Sequence, residues 1–133
     1  MGKLPAKHNP FNAACAVASA TFTLDTESSN EITVAIQMLD PNGEACGQRV
    51  SVPFYLSDDA NGDSILAVAV TTLAAGTDGI YMEDVAGKAG RIVSEADGDM
   101  DLSITFTGGA KTVYVVLVMP DGSLVVSGAV VFA

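Results

Sequence analysis

The stretch KTVYVVLVMPDGSLVVSGAVVFA, residues 111–133, decides the fold. Two runs rich in β-branched residues flank Pro120-Asp121-Gly122, a turn in which proline presets φ and glycine is free to take a positive one. In the first run Val113, Val115, Leu117 and Met119 fall on one face and Tyr114, Val116 and Val118 on the other, because side chains alternate along a strand. Both faces are apolar, which predicts a strand inside its sheet with cover on each side. Val130, Val131 and Phe132 carry the apolar character onward, so this end is predicted to be fixed in the sheet or in a subunit contact.

The same period of two recurs upstream. Ile32, Val34, Ile36 and Met38 share a face in residues 31–39, and Asp40-Pro41-Asn42-Gly43 closes that strand with a turn. Residues 48–56 repeat the pattern with Val50, Val52, Phe54 and Leu56; Pro53 lacks an amide donor, which predicts an edge strand or a bulge. A polar loop, residues 57–64, precedes an apolar stretch at 65–73, and residues 74–79 form another loop. Short strands follow at 80–85 and 90–94, then a half-buried one at 100–107 in which Leu102, Ile104 and Phe106 alternate with Asp101, Ser103 and Thr105. Eight or nine short strands with no ten-residue helical stripe describe a mostly β chain, a single antiparallel β-sandwich.

Charge divides the chain in two. Residues 1–14 hold two of the six basic residues, Lys3 and Lys7, with His8, Pro5, Pro10 and Phe11, and none of the sixteen acids; this strap is +2 and the remainder, with four bases, is −12. The division reads as an extended N-terminal arm, 1–14, ahead of a sandwich domain, 15–133. An arm with no core of its own, ahead of a body of opposite sign, is suited to reach a neighbouring subunit. Lys3, Leu4, Lys7, His8 and Phe11 are its partner-binding candidates: the lysines guide, while Leu4, Phe11 and backbone pairing anchor, since an exposed ion pair contributes at most about 1 kcal/mol.

Composition excludes several functions. No apolar run reaches the roughly 20 residues that a membrane-spanning helix needs, and the alanine-rich stretch 13–20 runs straight into strand-like residues, so neither a membrane span nor a secretion signal is expected. A net charge of −10 with four scattered bases in the body argues against nucleic acid. His8, the one histidine, lies in the arm without a partner to orient it, so no catalytic residue is assigned and an enzyme is not expected. Asp59, Asn61 and Asp63 begin like a helical calcium loop, but Ser64 and Val70 stand where glycine and glutamate are required. Irregular sites on Asp58, Asp59 and Asp63, or on Asp97, Asp99 and Asp101, weigh less than solvated turns, so no metal or cofactor is expected. Cys15 and Cys46 lack any metal or redox spacing and are expected as two reduced, packed thiols, with a disulfide between them as the alternative that spacing alone does not decide.

Three stretches carry a family likeness: RVSVPFYLSDDANGD at 49–63, SEADGDMDLSITF at 94–106, and the final hairpin. Residues 48–133 resemble immunoglobulin-like β-sandwich domains of bacterial and phage surface proteins and, more narrowly, small structural proteins of tailed bacteriophage virions. The cysteine pair and tryptophan that mark antibody domains are missing. The resemblance implies a capsid decoration or cement protein, made in the host cytoplasm and sited on the virion capsid surface. It would bridge subunits of a major capsid protein as a homo-oligomer, with a trimer favoured. Two alternatives are a tail or fibre component and a carbohydrate-binding or adhesin module presenting Tyr55, Tyr81 or Tyr114 to sugar rings.

Overall fold

The computed structural model describes residues 16–133, and within them the chain is built from strands alone. Ten strands form two antiparallel sheets packed as a sandwich. Sheet A has the order β1 (Ser19–Leu24), β2 (Glu31–Leu39), β7 (Asp99–Thr105), β4 (Thr72–Ala75). Sheet B runs β10 (Val130–Phe132), β8 (Lys111–Val118), β3 (Ser51–Ser57), β6 (Ala89–Val93), β5 (Ile80–Val85), and β9 (Leu124–Val126) also pairs with β8.

The alternating residues set which faces meet. Ile32, Val34, Ile36 and Met38 of β2 and Met100, Leu102 and Ile104 of β7 are buried, and they face Val52, Phe54 and Leu56 of β3 and Val113, Val115 and Leu117 of β8. Fully burying one such side chain contributes about 1.5–3 kcal/mol. A slip of one residue would turn the whole row outward, which fixes the register: Ile36 lies opposite Met100 and Phe54 opposite Leu117. The predicted turn at residues 40–43 closes with Gly43 N–H on Asp40 O at 3.0 Å, while Asp40 Oδ1 accepts from the N–H groups of Asn42 and Glu44.

Three local expectations are corrected. Pro53 lies in the middle of sheet B, not at an edge: it pairs with Arg91 of β6, while the ladder to β8 covers only Phe54 to Ser57, so β3 carries its amide-less residue where pairing is one-sided. Residues 65–71 are irregular, because Leu66 and Val70 are buried at a spacing of four, not two, and their N–H groups bond to Leu56 O and Gly87 O. The strand comes later, as β4, where Leu73 at the end of the apolar stretch sits opposite Ile104 and the pairing runs on through Ala74 and Ala75, which were expected to be loop.

The second arm of the final hairpin is broken into β9 and β10. Val126 pairs with Val116 but Val130 pairs with Val113, so one extra residue enters on this side of the ladder. β8 still has β3 on one side and β9 with β10 on the other, in the interior position that its two apolar faces predicted.

Candidate functional site

The outer faces of the two sheets have different chemistry. Alternation from the buried rows turns Thr21 and Thr23 of β1, Thr33 and Gln37 of β2, and Asp101 and Ser103 of β7 outward on sheet A. That face is hydroxyl, amide and carboxylate; the Ser103 hydroxyl donates to Glu31 Oε2 across it. Sheet B turns outward Ile80 and Met82, then Val93, Pro53, Tyr55, Val116, Val118 and Leu124. Among the outward positions of β6, β3, β8 and β9, Arg91 alone is charged; its guanidinium donates to Ser51 Oγ at 3.2 Å.

A loop folds over part of this apolar face. Tyr55 lies opposite Ala89 on one side and Val116 on the other, and Val116 opposite Val126. Gly62 rests on that row: a Cβ there would stand 3.1 Å from Val116 Cγ2, and the Tyr55 hydroxyl donates to Gly62 O. Burial, followed by the nearby Asp63 charge, raises the Tyr55 pKa. Val116 is thereby fully buried although it points away from the core. Beside the loop opens a pocket of about 340 Å³ lined by Phe54, Tyr55, Gly62, Asp63, Ser64, Ile65 and Ala89. The rest of the face is uncovered, with Ile80 51%, Met82 46% and Leu124 44% exposed.

The acids of that loop shape its turns. Asp58 Oδ2 accepts from Ala67 N–H and Asp59 Oδ1 from Asn61 N–H, both at 2.9 Å. Asp58, Asp59 and Asp63 do not form a ligand cluster among the described residues. The second acidic candidate is partly assembled. Asp99 and Asp101 come together with Asp78 of the β4–β5 connection, their carboxylate oxygens within 4.8 Å of one another. Asp97 instead accepts the Asp99 N–H in its own turn. Asp78 reaches the site because Asp101 N–H bonds to Asp78 O at 2.9 Å, a pairing that no short-range pattern could reveal. Burial, then the hydrogen bond with Asp78, then the charges of Asp78, Asp101 and Asp97 push the Asp99 pKa up. Such a cluster can share a proton or take a hard divalent cation, but three carboxylates are well short of the six to eight oxygens of a calcium shell.

The tyrosines proposed as a sugar platform divide between faces. Tyr55 and Tyr114 turn outward from neighbouring strands, on a diagonal, while Tyr81 packs inward with its ring 5.8 Å from that of Phe54. Lys3, Leu4, Lys7, His8 and Phe11 lie outside the described residues. Cys46, 1% exposed, is disulfide-bonded, which corrects the expectation of a reduced thiol; Cys15 lies outside the described residues. The sequence reading missed the outer face of sheet B as a surface. Its signal was present in Val116, Val118 and Val93, but their alternation showed only that they needed cover.

No protein-family model matches the chain, and no curated protein matches it. Among solved structures it is similar to a cohesin module from a family 33 glycoside hydrolase of Clostridium perfringens, with a TM-score of 0.41 and 13% identity over 87% of this chain and 93% of that one.

Proposed function

We propose that this protein is a non-enzymatic structural subunit that docks on a larger protein assembly through the outer face of sheet B, as a capsid decoration or cement protein braces major capsid subunits. The observation that carries the reading is the contrast between the two outer faces, one hydroxyl and acidic, the other apolar around Arg91, with exposed acids only at the Glu83–Asp84 end of β5. A sheet face that spends Ile80, Met82 and Leu124 on solvent is stabilised when a partner covers it, and a contiguous apolar patch rimmed by polar residues is the usual mark of a protein contact. Arginine amid apolar side chains is a common anchor of such contacts. The body charge of −12 then limits nonspecific association of copies, while many modest contacts add when one subunit straddles several others.

The phage assignment rests on the likeness in residues 48–133, and the homo-oligomer and virion location come with it. A copy-number measurement on purified particles tests it. Hundreds of copies per particle fit a head decoration, a handful fit a tail or fibre part, and absence from particles refutes the virion reading.

A further inference from the structure

We infer that β1 is the seam of a two-fold dimer, in which the open edge of sheet A pairs antiparallel with the same edge of a second copy of this chain. The inference goes beyond docking on an assembly, because it concerns the other sheet and needs no particle. Sheets protect their edges with short strands, charges, prolines or bulges. Three of the four edges are protected in that way: β4 has four residues, β5 carries the exposed acids Glu83 and Asp84 beside a register shift, and β9 and β10 have three residues each with an extra residue between them. β1 has none of these guards. Its six residues, Ser19–Leu24, include no charge and no proline, and they pair along β2 without a shift. Among the described residues no backbone hydrogen bond reaches their open side.

The phase of the ladder shows which groups are open. Asp25 N–H bonds to Thr33 O at 3.0 Å, continuing the register in which Leu24 faces Val34, so Ser19, Thr21 and Thr23 turn their N–H and C=O groups to β2. Ala20, Phe22 and Leu24 turn theirs to the open side. Those three also supply the inward side chains of the strand, Ala20 buried but Phe22 and Leu24 only partly so. A two-fold axis at Phe22 sets Phe22 opposite Phe22 and Ala20 opposite Leu24, each pair exchanging both backbone bonds. The small side chain then meets the large one, the partly buried pair gains cover, and Thr21 lies opposite Thr23 on the outer face. Charge permits the same register: Asp25, the first acid of the chain, stands opposite Ser19 and not opposite its own counterpart. This self-matching selects a second copy over an unrelated strand.

An isologous contact of this kind closes as a dimer, whereas the resemblance implies a trimer. Strands rotate by about 20–25° at each step across a sheet, so the two bodies diverge across the seam and their sheet B faces do not share a plane. Pairing therefore gives no second foothold on a flat surface, and docking by one copy is a separate event.

The test uses two full-length variants, Thr21→Cys and Thr23→Cys, oxidised alone and as an equal mixture, without particles. Opposed residues of a non-hydrogen-bonded pair have Cα atoms about 4.5 Å apart, within disulfide reach, whereas like positions fall on a diagonal of about 7–8 Å, which is too far. The inference predicts severalfold more disulfide dimer in the mixture than in either variant alone, with a peptide map that joins position 21 to position 23. Wild-type protein should sediment as a concentration-dependent dimer that Thr21→Asp combined with Thr23→Asp abolishes. Equal yields in all three samples, links at other positions, or a wild-type chain that stays monomeric as its concentration rises would overturn the inference.

Discussion

The Ser127 hydroxyl takes the N–H of Val115 at 2.9 Å, where an uninterrupted ladder would offer a backbone carbonyl. Ser127 N–H in turn donates to Val115 O, and the hydroxyl donates onward to Gly128 O at 2.8 Å. Ser94 does the same for Val50: its Oγ accepts the Val50 N–H at 2.8 Å and donates to Glu95 O. Both serines are buried, Ser127 at 6% and Ser94 at 0% exposure, and both sit where a strand leaves its ladder. Replacing either with alanine strands a buried N–H, which costs about 1–3 kcal/mol. Ser127→Ala and Ser94→Ala should each lower the urea midpoint with the slope unchanged, and an unshifted midpoint would show that another acceptor replaces the hydroxyl.

Much of the fold was legible because burial on one side writes a period of two into the sequence. Ile32 to Met38 and Val113 to Met119 named the core faces residue by residue. What stayed hidden depends on long-range pairing. β4 has four residues and exists because Leu73 meets Ile104, and Pro53 fits an inner strand because one of its ladders stops at Phe54. The same holds for the site: Asp99 and Asp101 were visible as a pair, but Asp78 joins them through a loop docked on β7. The apolar outer face required the sheet order, which no local window contains.

Two glycines separate backbone strain from contact. Gly43 and Gly62 have φ of +81° and +75°, but a Cβ on Gly43 meets nothing within 4 Å while one on Gly62 meets Val116. Alanine in the left-handed region costs about 1–2 kcal/mol at each. Gly62→Ala should cost about 1 kcal/mol more than Gly43→Ala, because it also overpacks the loop against Val116. Equal midpoints in denaturant would mean that the loop yields freely and does not hold the face.

The acidic corner gives stability a definite dependence on pH. The Asp99 pKa is raised from its ordinary 3.8, so the folded chain keeps a proton that the unfolded chain releases. In the window from that ordinary value up to the folded one, the contribution to stability falls as pH rises, and the whole penalty is present at neutral pH. Asp99→Asn should therefore raise Tm at pH 7 and lose that advantage as pH approaches 4. A variant that gains nothing at pH 7 would show that the carboxylates are relieved by solvent.

Cys46 supplies a chemical check on the body. In protein purified without reductant, alkylation followed by peptide mass mapping should leave Cys46 unlabelled, and reduction should expose it to labelling. Disulfides contribute typically about 2–4 kcal/mol, so the reduced protein should unfold at lower denaturant. Labelling of Cys46 before reduction would restore the expectation of a packed thiol.

The docking face is tested most directly by the double variant Arg91→Glu and Leu124→Asp, measured for occupancy on particles against Thr21→Asp and Thr23→Asp on the opposite sheet. All four side chains are exposed, so the fold should survive in both proteins. Anchor residues at protein contacts contribute about 2 kcal/mol or more each, so the sheet B variant should lose at least about thirtyfold in affinity, the effect of one anchor alone, while the sheet A variant binds as the wild type does. Undiminished occupancy by the sheet B variant, or a loss confined to the sheet A variant, would contradict the account.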